Sequence, residues 1–371
     1  MKPATSPRPR SVVRALVVED QRIALTPAHD LAAAFAPGDL LVVNDAATMP
    51  ASIHAHTARG ARIELRLAAS VDGARRWTVA LLGAGDWHMR TEDRPPPPPV
   101  APGDRLIADG PDGLVAIVER VYPLSPRLVD VAFELPLLRA ASDADVWRAL
   151  YRSGRPVQYA HVPDALALWD VQNAWAARPW AVEMPSAGRV LTIDMLRALR
   201  ARGVGVAFVT HAAGLSAVGD PKIDDALPLP ERYDIPEETV RAVARARRVV
   251  AVGTSVVRAL EGAAAANAGE LTAGTGITDL RLGPGSELRI VDAILTGVHE
   301  AGTSHASLLG AFVDAPTLSS ILEHSGREGF LGHEFGDVWL LWGQDVGCDM
   351  IRRKGATGGV FTPRSGAMFA A

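Results

Sequence analysis

The sequence predicts an α/β protein interrupted by a strand-rich segment. Three observations carry that expectation. Short apolar runs at residues 40–43, 204–209 and 249–252 stand beside helical patterns, as buried strands of an α/β sheet do. Between about Ala51 and Leu138 the texture changes to apolar–polar alternation of period two, which suggests an antiparallel barrel or sandwich. With 34 Gly and 27 Pro in 371 residues, turns must separate many short elements.

In chain order, residues before Val12 read as a flexible arm, followed by a strand at 14–18 and a helical pattern at 27–36. Pro37-Gly38-Asp39 is a turn, and the buried strand 40–43 ends at Asn44-Asp45. Strands of the middle segment fall at 61–67, 77–82, 105–108, 114–121 and 127–135. The proline run 95–99 must be a loop, because proline cannot donate to a ladder; a stiff surface loop and a segment for a proline-reading partner both fit it. Residues 191–202 read as a helix capped by Thr192 and ended by Gly203. Strand 204–209 then delivers His211. Helix 236–248 begins acidic and ends basic, matching its dipole. Strand 249–252 leads into Gly253-Thr254-Ser255 and a helix at 256–266. A strand-like piece at 288–294, a helix at 304–313, a strand at 338–342 and a tail from Gly343 complete the chain. The expected units are 1–50 with 139–342, an insert at 51–138, and the tail 343–371.

Lys and Arg number 38 against 42 Asp and Glu, a net charge of −4, which excludes a polybasic coat for nucleic acid but leaves room for a local patch. Cys348 is the single cysteine, so an internal disulfide and a cysteine-ligated zinc are excluded and a reducing compartment is expected. No apolar run approaches the roughly 20 residues that span a bilayer, and the first residues lack the apolar core of a signal peptide. A cytoplasmic protein without a membrane span is the expectation; the oligomeric state stays open.

Three places could carry chemistry. At residues 249–261, a buried strand running through Gly253-Thr254-Ser255 into a helix places free N–H groups and two hydroxyls at a helix N-terminus, with Arg258 one turn in as a carboxylate or phosphate clamp; a plain N-cap is the structural alternative. Asn44 and Asp45 follow a buried strand where open sheets bind ligands, although an Asx-turn would look the same. Asp292, Thr296 and His299 follow another strand, ahead of a helix starting near Ser304, and His299 or His211 could move a proton. His299 and His305 lack helical i, i+4 spacing for a metal pair, and His54-x-His56 fits one exposed strand face.

These pieces together resemble the S-adenosylmethionine:tRNA ribosyltransferase-isomerase family of queuosine biosynthesis. Residues 37–45, PGDLLVVND, with Met49-Pro50-Ala51, are similar to the family's PGDLLVxNDTRVIPARL. Gly60 and Ile63-Glu64-Leu65 follow its G…xExLL, Tyr233 and Pro236 its EEYxVP, and residues 250–261, VAVGTSVVRALE, its VAVGTTxVRxLE. Val291-Asp292, Thr296, His299 and Thr303-Ser304 resemble VDxLxTNFHLPxSTLL, and Phe335-Gly336-Asp337 the terminal FSYGDAML.

The resemblance implies an α/β domain with an inserted antiparallel β-barrel domain. It implies transfer and isomerisation of the ribosyl part of S-adenosylmethionine onto 7-aminomethyl-7-deazaguanine in tRNA, giving epoxyqueuosine, adenine and methionine, with S-adenosylmethionine as substrate and no metal. His211, His299, Asp45 and Asp292 would be the catalytic candidates. Asn44, Glu64, Tyr233, Gly253, Thr254, Ser255, Arg258, Thr296 and Ser304 would bind substrate. The chain departs from the pattern where an arginine would follow Ala51, where a histidine would follow Gly188, and at Gly297, Glu300, Ala301 and Gly302. Those departures fall where tRNA or the modified base would be held. They leave open a relative of the same fold with a small-molecule acceptor, and a binding protein without turnover.

Overall fold

A computed structural model describes residues 1–20, 22–299 and 302–343. Cys348, Glu300, Ala301 and the expected tail beyond Gly343 lie outside the described residues. Two sheets dominate. The larger has nine strands in the order Gly274–Thr278, Glu231–Ile235, Gly205–His211, Leu40–Asn44, Val249–Val252, Ala293–Gly297, Val338–Trp342, Arg14–Glu19 and Arg22–Pro27. The strands Gly205–His211, Leu40–Asn44, Val249–Val252 and Ala293–Gly297 are mutually parallel, so their carboxyl ends open on one edge. Side chains alternate between faces. Leu41, Val43, Val250 and Val252 pack with Phe35, Met195 and Leu199 on one side. Leu40, Val42 and Ala251 pack with Val256, Leu260 and Ile321 on the other.

The second sheet is a closed antiparallel barrel. Ser52–Thr57, Arg62–Asp72, Arg76–Leu82, Leu128–Glu134, Val115–Val121 and Arg105–Ala108 pair in turn, and the last pairs back onto the first. Closure removes the sheet's edges. Ile63, Leu65, Leu67, Trp77, Val79 and Leu81 fill its core, and the helix Asp143–Ser153 plugs it with Val146, Ala149 and Leu150. That helix starts with a capping box, Ser142 with Asp145. Glu64 and Arg66 alternate with the core residues of their strand, yet both are buried. Glu64 takes hydrogen bonds from Ser52 Oγ at 2.8 Å, Arg66 Nε at 2.8 Å and Arg94 Nη1 at 2.7 Å. Among the described residues, no helix is long and apolar enough to cross a membrane.

Four expectations need correction. The N-terminal arm is fixed: Lys2–Pro3 pairs with Leu331–Gly332, and buried Asp337 accepts from Arg14 N at 2.9 Å and from Arg8 Nη1 at 3.1 Å. The helical pattern at 27–36 is the 3-10 turns of Ala28–Ala34, preceded by an edge strand, Arg22–Pro27, that was not expected. The exposed edge strand carries no alternation to betray it. The piece at 288–294 becomes a strand only at Ala293. Its earlier N–H groups are taken by a carboxylate instead of a ladder: Glu261 accepts from Arg289, Ile290 and Val291, each at 2.9 Å. The helix at 304–313 is shorter, Ser304–Leu309, and begins on a Thr303 cap.

Candidate active site

A cavity of about 390 Å³ lies at the carboxyl edge of the parallel strands. Gly253 shapes its floor. It has φ +89°, a left-handed conformation that lets the chain turn from Val252 straight into the helix Thr254–Ala266. No side chain caps that helix start, so its N–H groups and partial positive charge face the cavity with the Thr254 and Ser255 hydroxyls. Arg258 follows one turn later, 7% exposed. Its Nε donates to Leu280 O at 3.2 Å and its Nη1 donates to Glu231 Oε2, while buried Nη2 has no hydrogen-bond partner. Arg258 lines the cavity, and a guanidinium there is suited to a ligand carboxylate or phosphate once its sealed Nη2 turns outward.

Glu231 is the anchor of this corner. Its Oε1 accepts from Gly214 N at 2.7 Å, and burial raises its pKa against the pull of Arg258. Behind it lies His211, fully buried at the end of its strand. Nε2 of His211 is 3.2 Å from Glu231 Oε2, but neither ring nitrogen is aligned for a hydrogen bond. Burial first, and then the Arg258 charge, hold this imidazole well below its usual pKa. The cavity lining also carries His299 and His305, stacked with centroids 5.2 Å apart and planes 9° apart. Nε2 of His299 is 2.7 Å from Thr296 Oγ1. Burial depresses both rings, His299 to about 3 with help from His305 and His333, and His305 to about 4 with help from Arg258. Both are therefore neutral at physiological pH, and the same burial weakens them as bases. Glu183 closes the site; burial raises its pKa, and it accepts from the Tyr159 hydroxyl.

The neutral pair makes a checkable statement. Nuclear magnetic resonance titration should find the ring signals of His299 and His305 unchanged from pH 8 down to about pH 5, against an ordinary histidine near 6.5. A midpoint near 6.5 for His299 would show that burial does not depress it.

Of the candidates from sequence, the structure brings Gly253, Thr254, Ser255, Arg258, Thr296, His299 and Ser304 to the cavity. It does not bring the others to its wall. Asn44 works from below: its Nδ2 donates to His211 O at 2.9 Å and its Oδ1 accepts from His211 N at 3.0 Å, locking two strand ends, and Nδ2 also reaches Ser255 Oγ at 3.4 Å. Asp45 turns away to accept from Thr210 Oγ1, near Arg178 and Asp234. Asp292 precedes its strand, at the opposite end of the sheet, and accepts from Val249 N at 2.6 Å. Glu64 is locked in the barrel network, and Tyr233 is packed in the core beneath the sheet. Glu231 and Glu183 were missing from the candidates. Glu231 sits two residues before Tyr233 in a matched motif, which was a usable signal; nothing in the sequence around Glu183 marked it.

Fold and cavity together define an α/β enzyme with a barrel, binding its ligand where parallel strands end. Residues 2–341 match the model of the family described as queuosine biosynthesis protein. The chain is 32% identical over 351 residues to the S-adenosylmethionine:tRNA ribosyltransferase-isomerase of Acidithiobacillus ferrooxidans, covering 91% of this chain and 94% of that one. The protein of that name from Azoarcus sp. is 32% identical over 358 residues, covering 91% and 92%. A crystal structure of an S-adenosylmethionine tRNA ribosyltransferase from Thermotoga maritima covers 91% of this chain and 95% of its own, at 24% identity and a TM-score of 0.47. The chain belongs to the queuosine biosynthesis protein family.

Proposed function

We propose that this chain is an S-adenosylmethionine:tRNA ribosyltransferase-isomerase, moving the ribosyl group of S-adenosylmethionine onto 7-aminomethyl-7-deazaguanine in tRNA in the cytoplasm. The observation that carries this is the Arg258 guanidinium beside an uncapped helix start in the cavity that Thr296 and His299 also line. Arg258 and the helix N–H groups hold the methionine carboxylate. The sulfonium acidifies the hydrogens on C5′, and His299, oriented by Thr296, takes one as base. Adenine departs, the neutral amine of the acceptor attacks the ribosyl carbon skeleton, and methionine is released. His211 acts through Glu231 as a positioning residue, keeping the carboxylate against Arg258.

The barrel, which we take as an inserted unit over residues 51–138, supplies the acceptor side. A second cavity of about 370 Å³ shares Pro228 and Arg281 with the first and is walled by Leu124, Leu128 and Tyr122, with the Arg120 guanidinium 4.5 Å above the Tyr122 ring. Stacked aromatic and arginine planes suit an unstacked base of an anticodon loop, and the arginines its phosphates. The test is adenine release from S-adenosylmethionine in the presence of tRNA bearing the aminomethyl-deazaguanine. Release that depends on that tRNA supports the assignment. Folded protein that releases none overturns it, and release driven equally by a small amine moves the acceptor away from tRNA.

A further inference from the structure

His161, His333 and Glu334 stand beside the reaction cavity but line no part of it. Each offers one ligand atom, and these atoms all lie within 4.8 Å of one another. Nε2 of His161 is 2.7 Å from Glu334 Oε2. The imidazoles of His161 and His333 face each other with centroids 4.2 Å apart and planes 33° apart. The His161 and Glu334 side chains are 12% and 25% exposed, so the group is shielded yet reachable from solvent.

The surrounding structure holds these groups in place. His333 has φ +65°, a left-handed conformation that a residue with a side chain adopts only when its neighbours impose it. Here the turn is fixed by Gly336 N donating to His333 O at 3.0 Å and Asp337 N donating to Leu331 O at 2.8 Å. On the other segment, the His161 ring stacks on Tyr159, with centroids 6.3 Å apart, and Gln158 Nε2 donates to Val162 O at 2.7 Å. Ala4, Val162, Val171 and Phe335 form a small dry core under both segments. Two imidazole nitrogens and one carboxylate oxygen suit a borderline cation such as zinc, and do not suit magnesium or calcium, which take oxygen ligands. Bonds of about 2.1 Å in a tetrahedron put ligand atoms roughly 3.4 Å apart, so the 2.7 Å His161–Glu334 pair must open by about 0.7 Å and the wider pairs close by up to about 1.4 Å.

We propose that His161, His333 and Glu334 form a binding site for one divalent transition-metal ion of the zinc class, with its fourth position open to water. The ion ties the segment around Gln158–Val162 to the turn 331–337, two stretches that are distant in sequence. It also sets a positive charge near the cavity wall, since His333 is among the groups that bear on His299 and Glu334 among those that bear on Glu183. The site is independent of the ribosyl-transfer assignment.

Calorimetric titration of zinc chloride into the chelator-stripped full chain should show one equivalent bound at micromolar affinity or tighter. Cobalt(II) should occupy the same site and give the visible bands of a low-symmetry four-coordinate ion. His161→Gln and His333→Gln should each weaken zinc at least tenfold, with circular dichroism unchanged. Glu334→Gln, which leaves both imidazoles, should weaken it less but measurably and serves if a histidine variant fails to fold. Absence of saturable binding, or equal affinity in the wild type and in folded variants, overturns the proposal. So does an anomalous-scattering peak at the zinc edge lying elsewhere.

Discussion

Arg258→Met should lose adenine release by at least about 100-fold and cost the fold several kcal/mol. Both effects follow from one geometry. The guanidinium is 7% exposed, gives donors to Leu280 O and Glu231, and belongs to the cavity lining. Removing it strands Glu231 as a buried carboxylate whose remaining partners are Gly214 N and an unaligned His211. Breaking a buried pair in this way costs roughly 3–5 kcal/mol. The lost charge-assisted bond to substrate is worth about 2–3 kcal/mol more in binding and turnover. The double variant Arg258→Met, Glu231→Gln separates the two, because it removes the orphaned charge. It should recover most of the stability in chemical denaturation and none of the activity. Arg258→Lys keeps the charge but lacks the fork, and should fold while turning over at least about tenfold more slowly. A stable double variant with wild-type kcat/KM for S-adenosylmethionine would show that Arg258 does not touch the substrate.

Glu64→Gln should be the most damaging single change in the barrel. Glu64 is 2% exposed and carries two buried arginines, Arg66 and Arg94. Burial alone would raise its pKa, but Arg66 and then Arg94 overcome that and bring it from 4.5 to about 2. At about 1.4 kcal/mol per pH step, that drop is worth roughly 3 kcal/mol of stability. The sign follows from the depressed value: the contribution is fully present above pH 4.5 and is lost as the pH falls through the window from 4.5 to 2. The amide removes the charge and leaves Arg66 and Arg94 uncompensated, so the loss at pH 7 should be about 3–5 kcal/mol. Urea denaturation as a function of pH checks both parts. The gap between wild type and variant should be constant from pH 8 to 5 and close towards pH 2; a gap that stays constant down to pH 2 would show that this carboxylate is not the one linked to folding.

Strands with strong apolar texture were legible from sequence because burial on both faces, or on alternate faces, writes itself into residue type. Val249–Val252 and the barrel strand Val115–Val121 are examples. The edge strand Gly274–Thr278 and its neighbour Glu231–Ile235 were not, since strands near the rim of a sheet tolerate Arg, Asp and Gly. The site divides along a similar line. Thr254, Ser255 and Arg258 are placed by local geometry, a strand meeting a helix, and local geometry is what sequence encodes. Asp45 and Asp292 both flank strands, but one turns outward and the other sits at the wrong end. That distinction depends on where the ladder begins, which for Ala293–Gly297 was decided by the distant carboxylate of Glu261. Glu183 reaches the cavity from an irregular segment, and its role depends on Tyr159 and Ser216, which no spacing in the chain relates to it.

The N-terminal hairpin has a bearing on how the molecule is made. Arg14–Glu19 and Arg22–Pro27 join the large sheet only through Val338–Trp342, and Asp337 fastens Arg8 and Arg14 from the same stretch. During synthesis these strands therefore wait, unpaired with the sheet, until more than three hundred further residues have followed. The barrel, whose strands are neighbours in sequence, can close meanwhile. Assembly is then ordered in time, local barrel first and sheet completion last, and the nascent chain exposes an apolar hairpin edge for most of its translation.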